Sequence, residues 1–275
     1  MTPNHPEGMS GSREAFRLPA WFHRHLFLAC LAVITSWVLP GPLVHLSGAG
    51  FLYLTGLLAL RLGQVDALPS GRHRRQRHPA TVAYRLLALA TALGQLLWLL
   101  RPGSLQTIAV PLLVLVTLFA GWSTVRLVQA ISRERSIDGH LLYSATAGYL
   151  LLGISGGLLL TALASVLPGG FRDNLSGELL TLPLLDASGS QAISWDLDYG
   201  RLNYFAFVSL TTVGYGDITP VLPLTRLACL TLSVVGPLYI AVVLGVLISR
   251  FSAAEPPQAA DRPPAPGPPD PPPGG

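Results

Sequence analysis

The sequence predicts an all-α integral membrane protein, and three observations carry that prediction. Half of the 275 residues are hydrophobic and only 12% are charged, against roughly 25% charged in a soluble domain. Six Leu/Ala-rich stretches approach or reach the roughly 20 apolar residues a helix needs to cross a bilayer core. Arginines gather in the segments between alternate stretches, the pattern of loops on one side of a membrane. Mean hydropathy over the whole chain is strongly positive, which at this length argues against an ordinary soluble protein.

The six stretches run from about Phe22 to Leu39, Leu43 to Leu62, Ala80 to Leu100, Leu105 to Leu127, Leu141 to Leu167 and Leu224 to Phe251. They are long and lack period-two alternation, so helix is preferred to strand. Pro40-Gly41-Pro42 reads as a turn between the first two. His23, Arg24 and His25 crowd the start of the first stretch, which is also a signal-peptide pattern. No small-x-small cleavage site follows it directly.

All eighteen basic residues are arginine. With six crossings, fourteen of them share one side: Arg13, Arg17 and Arg24; Arg61, Arg72, Arg74, Arg75, Arg77 and Arg85; Arg126, Arg133 and Arg135; Arg250 and Arg262. Arg101, Arg172, Arg201 and Arg226 fall on the other. Both termini are therefore expected in the cytoplasm of a multi-pass cell-membrane protein. Residues 1–20 read as a cytoplasmic segment, 21–130 as a four-helix peripheral membrane domain, 141–251 as a second membrane domain and 252–275 as a cytoplasmic tail. The tail has ten prolines in the twenty-one residues from Glu255 and is expected to be disordered. The Arg72–Arg77 loop reads as a topogenic loop against anionic headgroups, with a phosphoinositide or nucleic-acid site as the alternative; the expected partner is the bilayer rather than nucleic acid. Cys30 and Cys229 both sit in apolar runs and make neither a disulfide framework nor a zinc site. No cofactor is expected. No nucleophile–base pair, metal cluster or phosphate loop points to an enzyme.

The fifth and sixth stretches are separated by 56 residues, Pro168 to Pro223. Within them, Tyr204 to Leu210 is an apolar run too short to cross a bilayer, and it leads into Thr211-Thr212-Val213-Gly214-Tyr215-Gly216-Asp217. A short apolar helix that enters and returns is re-entrant, and its non-helical return must be buried in protein or line a wet path. Two glycines at alternate positions permit positive φ, which turns successive carbonyls to one side. Those oxygens, with the Thr212 hydroxyl at their base, are hard uncharged ligands able to replace the hydration shell of an alkali cation. Val213 and Tyr215 point away and wedge into surrounding protein. One such strand cannot surround an ion, so several copies must meet on an axis.

This heptapeptide, in the order outer helix, pore helix, filter, inner helix, resembles the signature of potassium channels, whose pores carry four such loops. The resemblance covers about Leu141 to Phe251. It implies a homotetramer that conducts K+ passively, with Thr212, Val213, Gly214, Tyr215 and Gly216 as the selectivity filter and four peripheral helices preceding a two-helix pore module. It also implies that Asp217, Tyr204 and Phe205 brace the filter, where many relatives carry tryptophan in the aromatic cuff. Val208 replaces a carboxylate found in some relatives. Gly236, followed by Pro237, resembles the inner-helix gate hinge; a static kink with small-residue packing is the alternative, since proline removes the bond to the Ser233 carbonyl. Gly153 and Gly157 have the small-xxx-small spacing of close helix packing.

Further expectations concern the margins. Asp173, Glu178, Asp186, Asp196 and Asp198 outnumber Arg172 and Arg201 in the outer segment, an acidity that would concentrate cations. Asn174-Leu175-Ser176 is a glycosylation sequon. Voltage sensing needs several arginines along the fourth helix, whereas that stretch has only Arg126, expected to snorkel at its end, and Pro111 interrupts it. Strong voltage dependence is therefore not expected. His73, His78 and His140 offer a pH-gating idea. An unselective pore and a non-conducting scaffold are the rival readings.

Overall fold

A computed structural model describes residues 19–36, 44–64, 79–100, 106–133, 140–180 and 191–254. Residues 1–18, the Arg72–Arg77 loop with His73 and His78, Asp186, and the tail from residue 255 lie outside the described residues, as do the side chains of His140, Asp196 and Asp198. Seven helices stand among the described residues: α1 (Ala20–Thr35), α2 (Val44–Leu62), α3 (Pro79–Leu100), α4 (Gln106–Arg133), α5 (His140–Val166), α6 (Gln191–Leu210) and α7 (Pro223–Ala254). A small sheet adds β1 (Phe171–Asp173), β2 (Leu179–Leu180) and β3 (Ile218–Pro220).

Each apolar stretch holds a helix among its described residues, but the stretches are not equal. Pro79–Leu100, Ala109–Ser132, Leu142–Val166 and Pro223–Val243 are long and apolar enough to cross a membrane. The apolar parts of α1 and α2, Trp21–Thr35 and Ser47–Leu62, are shorter. The 16 residues of α1 span about 24 Å at 1.5 Å per residue, short of a hydrocarbon core of about 30 Å. Pro111 does not interrupt α4 as expected, because the helix runs through it from Gln106. So early in the helix it removes a single ladder bond, and the packed flank of α4 holds the rest.

The helices alternate in direction. Arg61 lies over the Trp21 ring at 4.3 Å and Gly50 packs beside Val33, so α2 returns along α1. The Tyr84 hydroxyl donates to the Leu58 carbonyl at 3.3 Å and stands 2.9 Å from Ser123 Oγ, which sets α3 antiparallel to both α2 and α4. Thr124 meets Ser155 at 3.2 Å, and Leu127 packs beside Gly148; α4 and α5 are antiparallel. The α1 face formed by Phe22, Leu26, Ala29, Cys30 and Val33 is buried, with His23 hydrogen-bonded to Ser144. The Cys30 thiol faces the Ala147 carbonyl, so α1 lies parallel to α5. Alternation brings Arg24, Arg61, Arg85 and Arg126 to one end of the bundle and Arg172, Arg201 and Arg226 to the other.

Arg126 does not snorkel. It is buried, lies 4.5 Å from the Tyr84 ring centroid and donates to the Leu62 carbonyl at 2.8 Å. Arg85 donates to the Gly63 carbonyl at 2.7 Å. The two guanidiniums thus satisfy carbonyls at the C-terminal end of α2 that no helical N–H can reach, and the cations sit at the negative end of that helix dipole.

Glycines on α5 receive α6 and α7. A Cβ on Gly153 would overlap the Phe207 ring, and one on Gly157 would overlap the Asn203 amide, both on α6. A Cβ on Gly156 would stand 2.8 Å from Leu232 on α7. The small-xxx-small spacing is therefore occupied by a close approach of α6 along α5.

Candidate functional site

The segment after α5 begins with a three-stranded antiparallel sheet of order β2-β1-β3. Asp173 pairs with Ile218, Arg172 with Thr219 and Phe171 with Pro220. β3 follows Thr211–Asp217 directly, so the chain leaving the candidate filter returns to the end of α5 from which it set out. Between them α6 descends antiparallel to α5, past Gly157 and Gly153, until its last carbonyl at Leu210 stands 3.5 Å from the Tyr149 hydroxyl. The geometry is that of an entering helix and a returning strand. The helix is longer than the Tyr204–Leu210 run, beginning at Gln191. Its first half carries Ser194, Asp196 and Asp198, so apolarity marks only the second half of the helix.

At the end of α6 the backbone folds back on itself. The amide of Thr211 donates to the Phe207 carbonyl at 2.9 Å, that of Thr212 to Ser209 at 3.1 Å, and that of Val213 to Val208 at 3.1 Å. The final helical carbonyls are thereby satisfied, and the first N–H groups of the returning strand are consumed. Thr212 has φ 59°, Gly214 57° and Gly216 80°, while Val213 and Tyr215 stay at negative φ. Alternating hand turns each successive peptide plane over, so consecutive carbonyls face one side. Two of the three positions are glycine, where positive φ is unstrained. Thr212 is not, and a β-branched residue there is strained by about 1–3 kcal/mol, the kind of cost that gathers at functional sites. Among the described residues no protein donor reaches the carbonyls of Thr212, Val213, Gly214 or Tyr215.

The Val213 and Tyr215 side chains are 51% and 71% exposed in the single chain. The Asp217 carboxylate is close enough to the Tyr204 phenol to act on it electrostatically, and Asp217 accepts from the Ile218 amide at 2.9 Å. Phe205 is buried and meets Phe171 edge-on, with ring centroids 6.0 Å apart. Val208 is buried too, leaving no carboxylate beside Asp217 at that position.

Gly236 and Pro237 lie within α7, which continues through both. A Cβ on Gly236 would overlap the Leu210 carbonyl. The glycine thus lets α7 pass directly against the end of α6, a packing role that sits beside any hinge function. On the same flank the Tyr239 hydroxyl donates to the Ala145 carbonyl at 2.7 Å.

Sequence reasoning missed what the outer charges do. Asp173 is not a free contributor to acidity at the mouth. Its Oδ1 accepts from the amides of Leu175 at 2.8 Å and Ser176 at 3.3 Å, and its Oδ2 accepts from Arg201 at 2.8 Å. Those backbone donors above all, with Arg201, hold its carboxyl below its ordinary range against the opposing effect of burial. Asn174 was legible only as a sequon, yet its side chain touches Gly216. The turn-forming run Asp173-Asn174-Leu175-Ser176-Gly177 was the signal available for this hairpin.

Among the described residues no cluster of His, Cys, Asp and Glu is suited to a metal, so the backbone carbonyls are the oxygen ligands this region offers. No curated protein and no solved structure matches the chain. Residues 178–253, which hold α6, the returning strand and α7, match the family model described as an ion channel, and that match supports an ion channel here.

Proposed function

We propose that the chain is one subunit of a homotetrameric potassium-selective channel in the cell membrane. The observation that carries this reading is the alternation of positive and negative φ from Thr212 to Gly216 on a strand whose carbonyls lack protein donors. Unsatisfied carbonyls are costly in a membrane, and uncharged oxygens in a stack can take over the hydration shell of K+. Thr212, Val213, Gly214 and Tyr215 supply the ligands with Gly216 at the outer rim. Tyr204 and Asp217 brace the strand laterally, and Phe205 fixes α6 to β1. The negative end of the α6 dipole points at the filter base, where it favours a cation.

Four copies are required because one strand supplies one side of a ring. Exposed Val213 and Tyr215, together with the exposed α7 residues Leu227, Leu230 and Val234, give the neighbouring copies apolar surface to cover. The gathering of arginines at one end of the alternating bundle supports a cytoplasmic location for both termini. Voltage dependence is weak, since Arg126 is fixed as a helix cap rather than set along a path through the field. Gly236 and Pro237 shape the inner end of the pore.

The test is K+ release from liposomes carrying the purified protein. Wild-type protein releases K+, while Gly214→Ala, which forces a side chain into positive φ, loses the flux or its preference for K+. Equal flux of K+ and Na+ in the wild type would leave a pore without this selectivity.

A further inference from the structure

The outer end of the filter strand is held by a residue that the filter motif does not contain. The Asn174 Nδ2 donates to the Gly216 carbonyl at 2.7 Å and stands 3.2 Å from the Thr219 hydroxyl. The Asn174 amide N–H donates to the Asp217 carbonyl at 2.7 Å. A carbonyl only accepts, so the side-chain atom facing Gly216 must be the nitrogen. One residue therefore fixes two consecutive peptide planes, the second of them just beyond the Gly216 turn at φ 80°.

Asn174 is itself rigidly placed. The amide of Gly177 donates to the Asp173 carbonyl at 2.8 Å, and the amide of Asp173 to Glu178 at 2.9 Å. The Asp173 side chain accepts the next two amides of the turn and is tied by Arg201 to α6. The links close a circuit from α6 through the filter strand, β3, β1 and the hairpin, and back to α6. A hairpin with no such purpose would not need its turn anchored to the helix that feeds the filter.

We propose that Asn174 is a positioning residue for the filter: it holds the Gly216 carbonyl and the outer turn so that the ring below keeps its ion-binding geometry without an ion to support it. This rests on the channel reading above. If the clamp is removed, the organised ring is a smaller fraction of the population, and apparent K+ affinity falls by that fraction. K+ itself then restores the ring by mass action. A single hydrogen bond lost from this balance corresponds to an increase of about three- to tenfold in the K+ needed. The Nδ2 is also the acceptor atom of the sequon, so a sugar there would compete with the clamp.

The experiment uses full-length protein made without glycosylation, comparing wild type with Asn174→Asp, Asn174→Gln and Ser176→Ala. Asn174→Asp keeps shape and turn propensity but replaces the donor with an acceptor, while Asn174→Gln keeps a donor on a longer arm. Ser176→Ala removes the sequon while keeping Asn174, at the cost of one long hairpin bond from the Glu178 amide to Ser176 Oγ at 3.3 Å. In liposomes, Asn174→Asp should lose sustained or K+-selective current at low external K+ and recover it as K+ rises. Asn174→Gln should fall between it and the wild type, and Ser176→Ala should match the wild type. Currents from Asn174→Asp that equal or exceed the wild type at every K+ concentration overturn the clamp. Should the wild type pass no current, the channel reading fails, and K+-dependent thermal protection of the same proteins decides the clamp separately. A three- to tenfold higher half-protecting K+ in Asn174→Asp supports it, and an unchanged value overturns it.

Discussion

Asp173 shows how a surface carboxylate in sequence becomes a structural one in the fold. Two backbone amides and Arg201 stabilise its charged form, so its folded pKa lies below the unfolded value of about 3.9. The sign follows from linkage: the stabilisation is fully present above the unfolded pKa and is lost as pH falls through the folded one. External acid should therefore leave the current unchanged from about pH 8 to pH 5 as far as this group is concerned, with loss only below about pH 4. A titration of external pH on wild type and Asp173→Asn checks this, because an Asp173 response centred near pH 6 contradicts the assignment. At the same scale the backbone of residues 212–216 was partly legible. The glycines announced positive φ at 214 and 216, while the same backbone at Thr212 is invisible to residue-type reasoning, because threonine adopts it only under constraint. Asn174 was not legible as a clamp because its partner is 42 residues away, a contact created by strand pairing and not by local pattern.

Among the elements, glycine positions divide by what faces them. Gly157 and Gly153 accept α6, whereas Gly56 on α2 has nothing within 4 Å of an added Cβ. Gly157→Ala should destabilise the protein by about 1–3 kcal/mol through overpacking. Gly56→Ala should be neutral or stabilise by about 0.5–1 kcal/mol, since alanine loses less freedom in a helix. Thermal unfolding in detergent compares the two, and equal effects would remove the packing account. The contact of Gly236 with the Leu210 carbonyl separates packing from hinge motion in a similar way. Gly236→Ala should disturb ion selectivity, because the atom it meets is backbone at the filter base, while Pro237→Ala tests the kink alone through open probability. Hydropathy found each membrane-length helix, but it ended α4 near Leu127, six residues before Arg133, and missed the start of α6 at Gln191, where polar residues hide the helix from an apolarity scan. The β1–β3 sheet escaped because strands of three residues carry too little periodicity to detect.

For the whole molecule, composition and the arginine partition were enough to read a bundle of alternating helices, and the contacts from α1 to α5 show that alternation. What they could not reveal is how α1–α4 are joined to α6 and α7. α5 is a shared element on which α1, α4, α6 and α7 all pack, and α2 also meets α6 directly, where the Phe51 and Tyr199 ring centroids lie 5.9 Å apart. Arg126, the lone arginine of the fourth stretch, for which strong voltage dependence was not expected, is fixed at the end of α2. The central claim is that four filter strands make a K+-selective path. Reversal potential in liposomes of purified protein, with K+ and Na+ gradients opposed, tests it most directly. The account predicts reversal near the K+ equilibrium potential in the wild type and loss of that preference in Gly214→Ala; a wild-type reversal near zero, with Na+ carrying as much current as K+, would contradict it.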